Sequence, residues 1–200
     1  MMRVIKNGFL ALSALTLFSA MGFAQKYEVH PYLGAVVPSE WADVATLKTS
    51  AEFGVKAAVF ADCTTQVEGE FGYMPHFEFR GTDPKTRAWI WGVSASRNVP
   101  LPHDTTFVPF FLFGVGGVTT RMENPDFVTT RVGFLRRPIT IENNDTFFMF
   151  NYGGGVKALN LAGPVGLRFT VEGRTLPNFF GRQNTWFDGS AGVIFTWGEK

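Results

Sequence analysis

A hydrolytic or metal-assisted reaction would have to start from histidine, cysteine, serine or carboxylate side chains, and this chain arranges few of them usefully. It has three histidines, His30, His76 and His103, and one cysteine, Cys63. A nucleophile needs a base within hydrogen-bond reach, and a metal needs several converging ligands. His30 falls near the start of the first apolar run, and His76 and His103 in two separate connections, so the three are not expected to converge. Ser39, Glu40 and Asp43 share one connection and could meet only His76 from the next. Short polar residues at such places more often form turns, so no catalytic residue is assigned. Cys63 has no intrachain disulfide partner and no metal-ligand spacing, and reads as a neutral turn residue. Gly153-Gly154-Gly155 opens no helix after a strand, which favours a closely packed wall over a phosphate cradle. Neither cofactor nor metal is expected.

The remaining charged groups carry a different message, and their meaning depends on the elements that hold them. Met1 to Ala24 has Arg3 and Lys6, an uncharged stretch from Gly8 to Ala20, and Gly22-Phe23-Ala24 ahead of Gln25. That is the pattern of a removable secretory leader, too short for a spanning helix. The domain division is therefore 1–24 leader and 25–200 folded unit. Without Arg3 and Lys6 the basic count falls from 18 to 16 against 17 acidic residues, a net charge of −1. Such a balance leaves no nucleic-acid footprint. With 22 Phe and 22 Gly in 200 residues, disorder is excluded.

After Ala24 no stretch is apolar for long enough to cross a bilayer as a helix, so strands are the remaining way across. Eight runs with period-two patterning cover 27–36, 50–60, 65–74, 87–96, 107–118, 147–157, 165–174 and 187–197. Their length suits a tilted transmembrane strand of ~9–11 residues. Connections of 13, 4, 12, 10, 28, 7 and 12 residues separate these runs. Longer and shorter ones alternate, as they do in an all-β, eight-stranded, antiparallel up-and-down transmembrane barrel. The longest connection is itself patterned through Val128, Thr130, Val132 and Phe134 before Arg136-Arg137-Pro138. It predicts a hairpin above the membrane, with ten strands as the topological alternative. Pro31 and Pro109 lie inside two runs, which suggests that those strands begin a few residues later.

Alternation then sorts the side chains. Val165, Leu167, Phe169 and Val171 take one face of their run, and Arg168, Glu172 and Arg174 the other. The same parity turns Glu52, Lys56, Glu68, Glu70, Lys157 and Asp188 inward. A balanced, salt-bridged and closed lumen is the favoured reading, because eight strands leave an interior that side chains just fill. Neighbours on the last strands, Lys157 and Asp188 beside Arg168 and Glu172, are the expected partners. A narrow channel for small solutes is the alternative. Outward aromatics Tyr27, Tyr73, Trp89, Trp91, Tyr152, Phe187 and Trp197 are placed in two interfacial girdles. Phe187 and Trp197, ten residues apart on one face, would span about 25 Å of the normal at ~3.3 Å per residue and a tilt near 40°.

The end of the chain, with Ser190, Gly192, Phe195 and Trp197, resembles the last-strand signal read by the outer-membrane barrel-assembly machinery. VPFFLFGVGGV (108–118), FNYGGGVKALN (150–160) and GPVGLRFTVEGRTL (163–176) are similar to strand blocks of the OmpA/OmpW-like outer-membrane β-barrel domain superfamily. The resemblance spans residues 27–197. It implies a monomeric barrel inserted into outer-membrane lipid from the periplasm, in a group of structural proteins, small channels, adhesins and a few lipid-modifying enzymes. The sequence expectation is a structural or surface-interaction protein acting through the connections at 37–49, 75–86, 119–146 and 175–186. A lipid A deacylase or acyltransferase is the minor alternative.

Overall fold

The computed structural model describes residues 26–38, 49–76, 86–102, 106–122, 128–132, 135–139, 144–179 and 182–198. Ten strands follow one another: β1 (Lys26–Pro38), β2 (Ser50–Phe60), β3 (Thr65–Met74), β4 (Thr86–Asn98), β5 (Phe107–Met122), β6 (Val128–Val132), β7 (Leu135–Ile139), β8 (Asn144–Ala162), β9 (Val165–Phe179) and β10 (Arg182–Gly198). Eight of them close in the order β1-β10-β9-β8-β5-β4-β3-β2, while β6 and β7 pair only with each other. The longest connection is thus a separate hairpin, and the barrel has eight strands rather than ten. The leader, Ser39, Glu40, Asp43 and His103 lie outside the described residues.

Strict alternation builds the wall. In β2 the outward Ala51, Phe53, Val55 and Ala57 are exposed while Glu52 and Lys56 are buried. A polar interior and an apolar exterior invert the arrangement of a water-soluble protein, and suit a barrel solvated by lipid. The glycine trio lets strands approach closely: a Cβ at Gly153 would run into the Val171 carbonyl oxygen, and one at Gly155 into that of Phe169.

Several strands outrun their sequence signal. β9 continues to Phe179 and β10 begins at Arg182, so residues 175–186 are mostly strand and not a long loop. β8 likewise continues to Ala162, with Asn160 in the left-handed region (φ 56°) where the β8–β9 register shifts. Pro31 does not delay β1. The strand starts at Lys26, and its ladder to β10 skips only His30 and Pro31 before resuming at Tyr32↔Gly192 in unchanged register.

The β2–β3 turn at 61–64 is tied by Asp62, whose Oδ1 accepts the Thr64 and Thr65 backbone N–H groups at 2.7 Å each and the Thr64 hydroxyl at 3.0 Å. The Thr64 and Thr65 N–H donors hold its carboxyl at about 2, below the ordinary 3.8. A depressed folded-state value contributes stability above the unfolded value and loses it as pH falls through the folded one. The stability difference between wild type and Asp62→Asn should therefore stay constant above about pH 4 and vanish as pH approaches 2. Acid-dependent urea titrations of the two proteins would check this. Cys63 is exposed beside Asp62 in the same turn.

Candidate functional site

Inside the barrel the side chains form three tiers. At the end where the chain termini and the short turns lie, Lys157 Nζ donates to Glu28 Oε2 at 2.7 Å and to Gln66 Oε1 at 2.8 Å. The Arg168 guanidinium lies 3.0 Å from Glu68 and 4.3 Å above the Phe110 ring. His30 is buried at 2% exposure against Tyr32, with ring centroids 5.8 Å apart.

The middle tier centres on Arg174. Its guanidinium reaches Glu52 at 2.6 Å, Glu70 at 2.8 Å, Asp188 at 2.8 Å and Glu172 at 3.8 Å. Lys56 pairs closely with Glu172 and stands 3.6 Å from Glu70. The Tyr32 hydroxyl lies 2.6 Å from Glu52 and 2.8 Å from Glu70, so its single proton is offered between two carboxylates.

The third tier is apolar. Val36, Met74, Ile90, Val118, Met149, Leu176, Phe179 and Trp186 pack into one buried cluster at the opposite mouth, with Phe179 and Trp186 edge to face at 5.4 Å. Residues assigned from sequence to an external loop supply its largest members. Ions entering the lumen would meet this cap in series with the ion pairs.

The pairing differs from the expected one. In register, Lys157 faces Arg168 and Glu172 faces Asp188, so neighbours on β8, β9 and β10 carry like charges. The opposite charges come from across the lumen: Arg168 to Glu68 and Arg174 to Glu70 join β9 to β3, four strands away in a ring of eight. An eight-stranded barrel is narrow enough for an arginine to reach the far wall. Nor are the signs balanced. Among the described residues six acids, Glu28, Glu52, Glu68, Glu70, Glu172 and Asp188, are buried with four bases, Lys56, Lys157, Arg168 and Arg174. Sequence reasoning missed Glu28, His30 and Tyr32 as lumen groups because Pro31 made the start of β1 look irregular; their shared parity with Gly34 and Val36 was the available signal.

The outer wall carries the aromatics. Trp91, Tyr152, Phe187 and Trp197 are exposed, and Tyr27, Tyr73 and Trp89 half-buried on outward positions. Tyr27 stacks on Trp197 at 6.2 Å at the turn end, while Tyr73 meets Trp89 at 5.6 Å at the other. Ser190 points inward and Phe195 outward; a Cβ at Gly192 would meet the Pro31 carbonyl and His30. Phe195 pairs with Val165 next to the β8–β9 turn, so it lies near the membrane edge.

A closed eight-stranded antiparallel barrel with a polar, filled interior and an apolar, aromatic-ringed exterior defines a small integral membrane β-barrel. The sequence agrees at the level of family. The chain belongs to the outer membrane protein beta-barrel domain family, whose model matches residues 10–186. No curated protein matches it significantly. Among solved structures it is similar to Neisserial surface protein A (10% identity, 84% of this chain and 96% of that one, TM-score 0.61). Similar also are the outer membrane protein OprG from Pseudomonas aeruginosa (9%, 88% and 97%, 0.59) and Ail, the attachment invasion locus protein of Yersinia pestis (12%, 86% and 97%, 0.51). At these identities the likeness is one of fold.

Proposed function

We propose that this protein is a closed, non-conducting and non-catalytic anchor of the outer membrane that works through its externally placed segments, the β6–β7 hairpin foremost. The carrying observation is the double obstruction of the lumen, with the Arg174 tier and the Leu176–Phe179–Trp186 cap in series. With the interior filled, the wall and the connections are left for contact with partners. Surface and attachment roles appear in the names of two structural neighbours, Neisserial surface protein A and Ail. Export by the 1–24 leader, insertion by the barrel-assembly machinery through Ser190, Gly192, Phe195 and Trp197, and a monomeric state complete the reading. Against catalysis, His30 lies in the lumen and His76 at the exposed end of β3, well apart along the chain and the barrel.

The test is planar-bilayer conductance of the refolded full chain. No steady unitary current is expected from the wild type. A steady current would overturn the closed reading in favour of a channel, and the excess of two acids over bases predicts that such a channel would prefer cations.

A further inference from the structure

The β6–β7 hairpin has two outer edges. Among the described residues β6 and β7 pair only with each other, and neither joins the barrel ladder. A two-stranded sheet is marginal by itself in water, and a third strand is the simplest addition that stabilises it. Register decides which edge can take one. Two residues separate β6 from β7, so Val132↔Leu135 closes the ladder as a hydrogen-bonded pair, and bonded and non-bonded pairs alternate from there. Arg131↔Arg136 and Thr129↔Pro138 are the non-bonded pairs. Their backbone N–H and C=O groups therefore turn away from the ladder, toward the outer edges.

The two edges differ. On β7 the outer positions are Arg136 and Pro138, and proline has no N–H to offer, which blocks that edge at one of its two positions. On β6 they are Thr129 and Arg131, which keep both donor and acceptor. β6 reads VTTRV, with four β-branched residues of five and no proline, the composition of a strand that holds its extended form. One edge is closed to strand addition and the other is open.

Charge selects the occupant. Residues 127–141 contain three arginines, Arg131, Arg136 and Arg137, and no acid, a net charge of +3. The acids Glu123, Asp126 and Glu142 fall in the segments that join the hairpin to β5 and β8. A second copy of this chain would bring the same three arginines to the edge, and like charge opposes that pairing. An acidic strand is complementary. In strand addition the main-chain hydrogen bonds supply affinity, and alternate side chains supply specificity.

We infer that the outer edge of β6 is a strand-addition site for an extended acidic segment of a partner protein outside the cell. The inference deepens, and rests on, the reading of this hairpin as the surface through which the protein works.

The full chain in nanodiscs of phosphatidylethanolamine would be titrated with a short fluorescent peptide alternating glutamate and valine, followed by anisotropy. Wild type should bind it, and should not bind a peptide alternating lysine and valine. The acidic peptide N-methylated at two successive central residues keeps its charge but loses donors on both of its edges. It should bind roughly tenfold more weakly or worse, as loss of main-chain hydrogen bonds implies. Thr129→Pro sets on β6 the block that Pro138 sets on β7, spares the inner ladder and all three arginines, and should cause a comparable loss. Equal binding of the parent and methylated peptides would overturn the site, and this comparison serves if Thr129→Pro disrupts the hairpin. Undiminished peptide binding by a folded Thr129→Pro would overturn it as well. Dextran sulfate that displaces the peptide, and binds Thr129→Pro as tightly as wild type, would replace the site with a charge-only surface for polyanionic glycans. Self-association of the wild type that Thr129→Pro abolishes would make the occupant a second copy and overturn the acidic partner. A steady current in the bilayer experiment refutes the closed anchor and leaves peptide binding as it was, whereas a non-conducting barrel that binds no acidic peptide refutes only this site.

Discussion

Arg174→Gln should lower the stability of the inserted barrel by ~3–5 kcal/mol, seen as a marked drop in the urea midpoint for unfolding from bilayers. Glu52, Glu70, Glu172 and Asp188 all turn toward this one guanidinium, which is fully buried. Without it the carboxylates face each other with only Lys56 and the Tyr32 hydroxyl close by. Neutralising two of them, by Glu52→Gln and Asp188→Asn in the Arg174→Gln background, should recover most of the loss. Arg168→Ala should behave similarly but less severely, because it strands Glu68 alone. If Arg174→Gln instead costs only ~0–1 kcal/mol, the tier is hydrated and the closed lumen is wrong.

On the lipid face the largest effect is expected at Val171. It is 65% exposed, lies midway along the outward face of β9, and pairs with Gly189 on one side and Gly154 on the other. Val171→Arg should cost ~2–4 kcal/mol, the range for a basic residue at the bilayer midplane, whereas Phe195→Arg near the edge should cost ~0–1 kcal/mol. Both would be measured by urea titration of the protein folded into vesicles. Equal costs would mean that depth along β9 and β10 has been misassigned. A negligible cost at Val171 would mean that this face meets water.

Much of this architecture is legible in the residues, because a barrel wall imposes a period of two that survives one strand at a time. Arg168, Glu172 and Arg174 alternate with Leu167, Phe169 and Val171, and parity alone separates the buried set from the exposed one. Parity says which face a side chain takes but not which wall it will meet. The partners of Arg168 and Arg174 follow from closure and register, neither of which is a property of β9, and so sequence alone points to strand neighbours where the partners lie on the opposite wall. The apolar cap was hidden for a more local reason. Pro177 and Asn178 look like a turn, and both are outward between buried Leu176 and Phe179, breaking the alternation where the β9–β10 register shifts. The hairpin at 128–139 was readable because its own alternation is intact.

The ties from β9 across to β3 and β2 join residues a hundred or more positions apart in the chain, 104 for Arg174 and Glu70 and 122 for Arg174 and Glu52. A sheet that has not yet curled shut holds these groups on distant strands, so none of the attraction exists until β1 meets β10. If closure follows the barrier to folding, interactions of that kind are absent from the transition state, and the test is whether Arg174→Gln speeds unfolding while leaving the folding rate unchanged. Their energy should then appear in the rate of unfolding, lengthening the lifetime of the finished barrel without hastening its formation. The lumen charges thus act as a latch on time: a membrane protein beyond the reach of cytoplasmic chaperones gains persistence from contacts that cannot form by mistake in an open sheet.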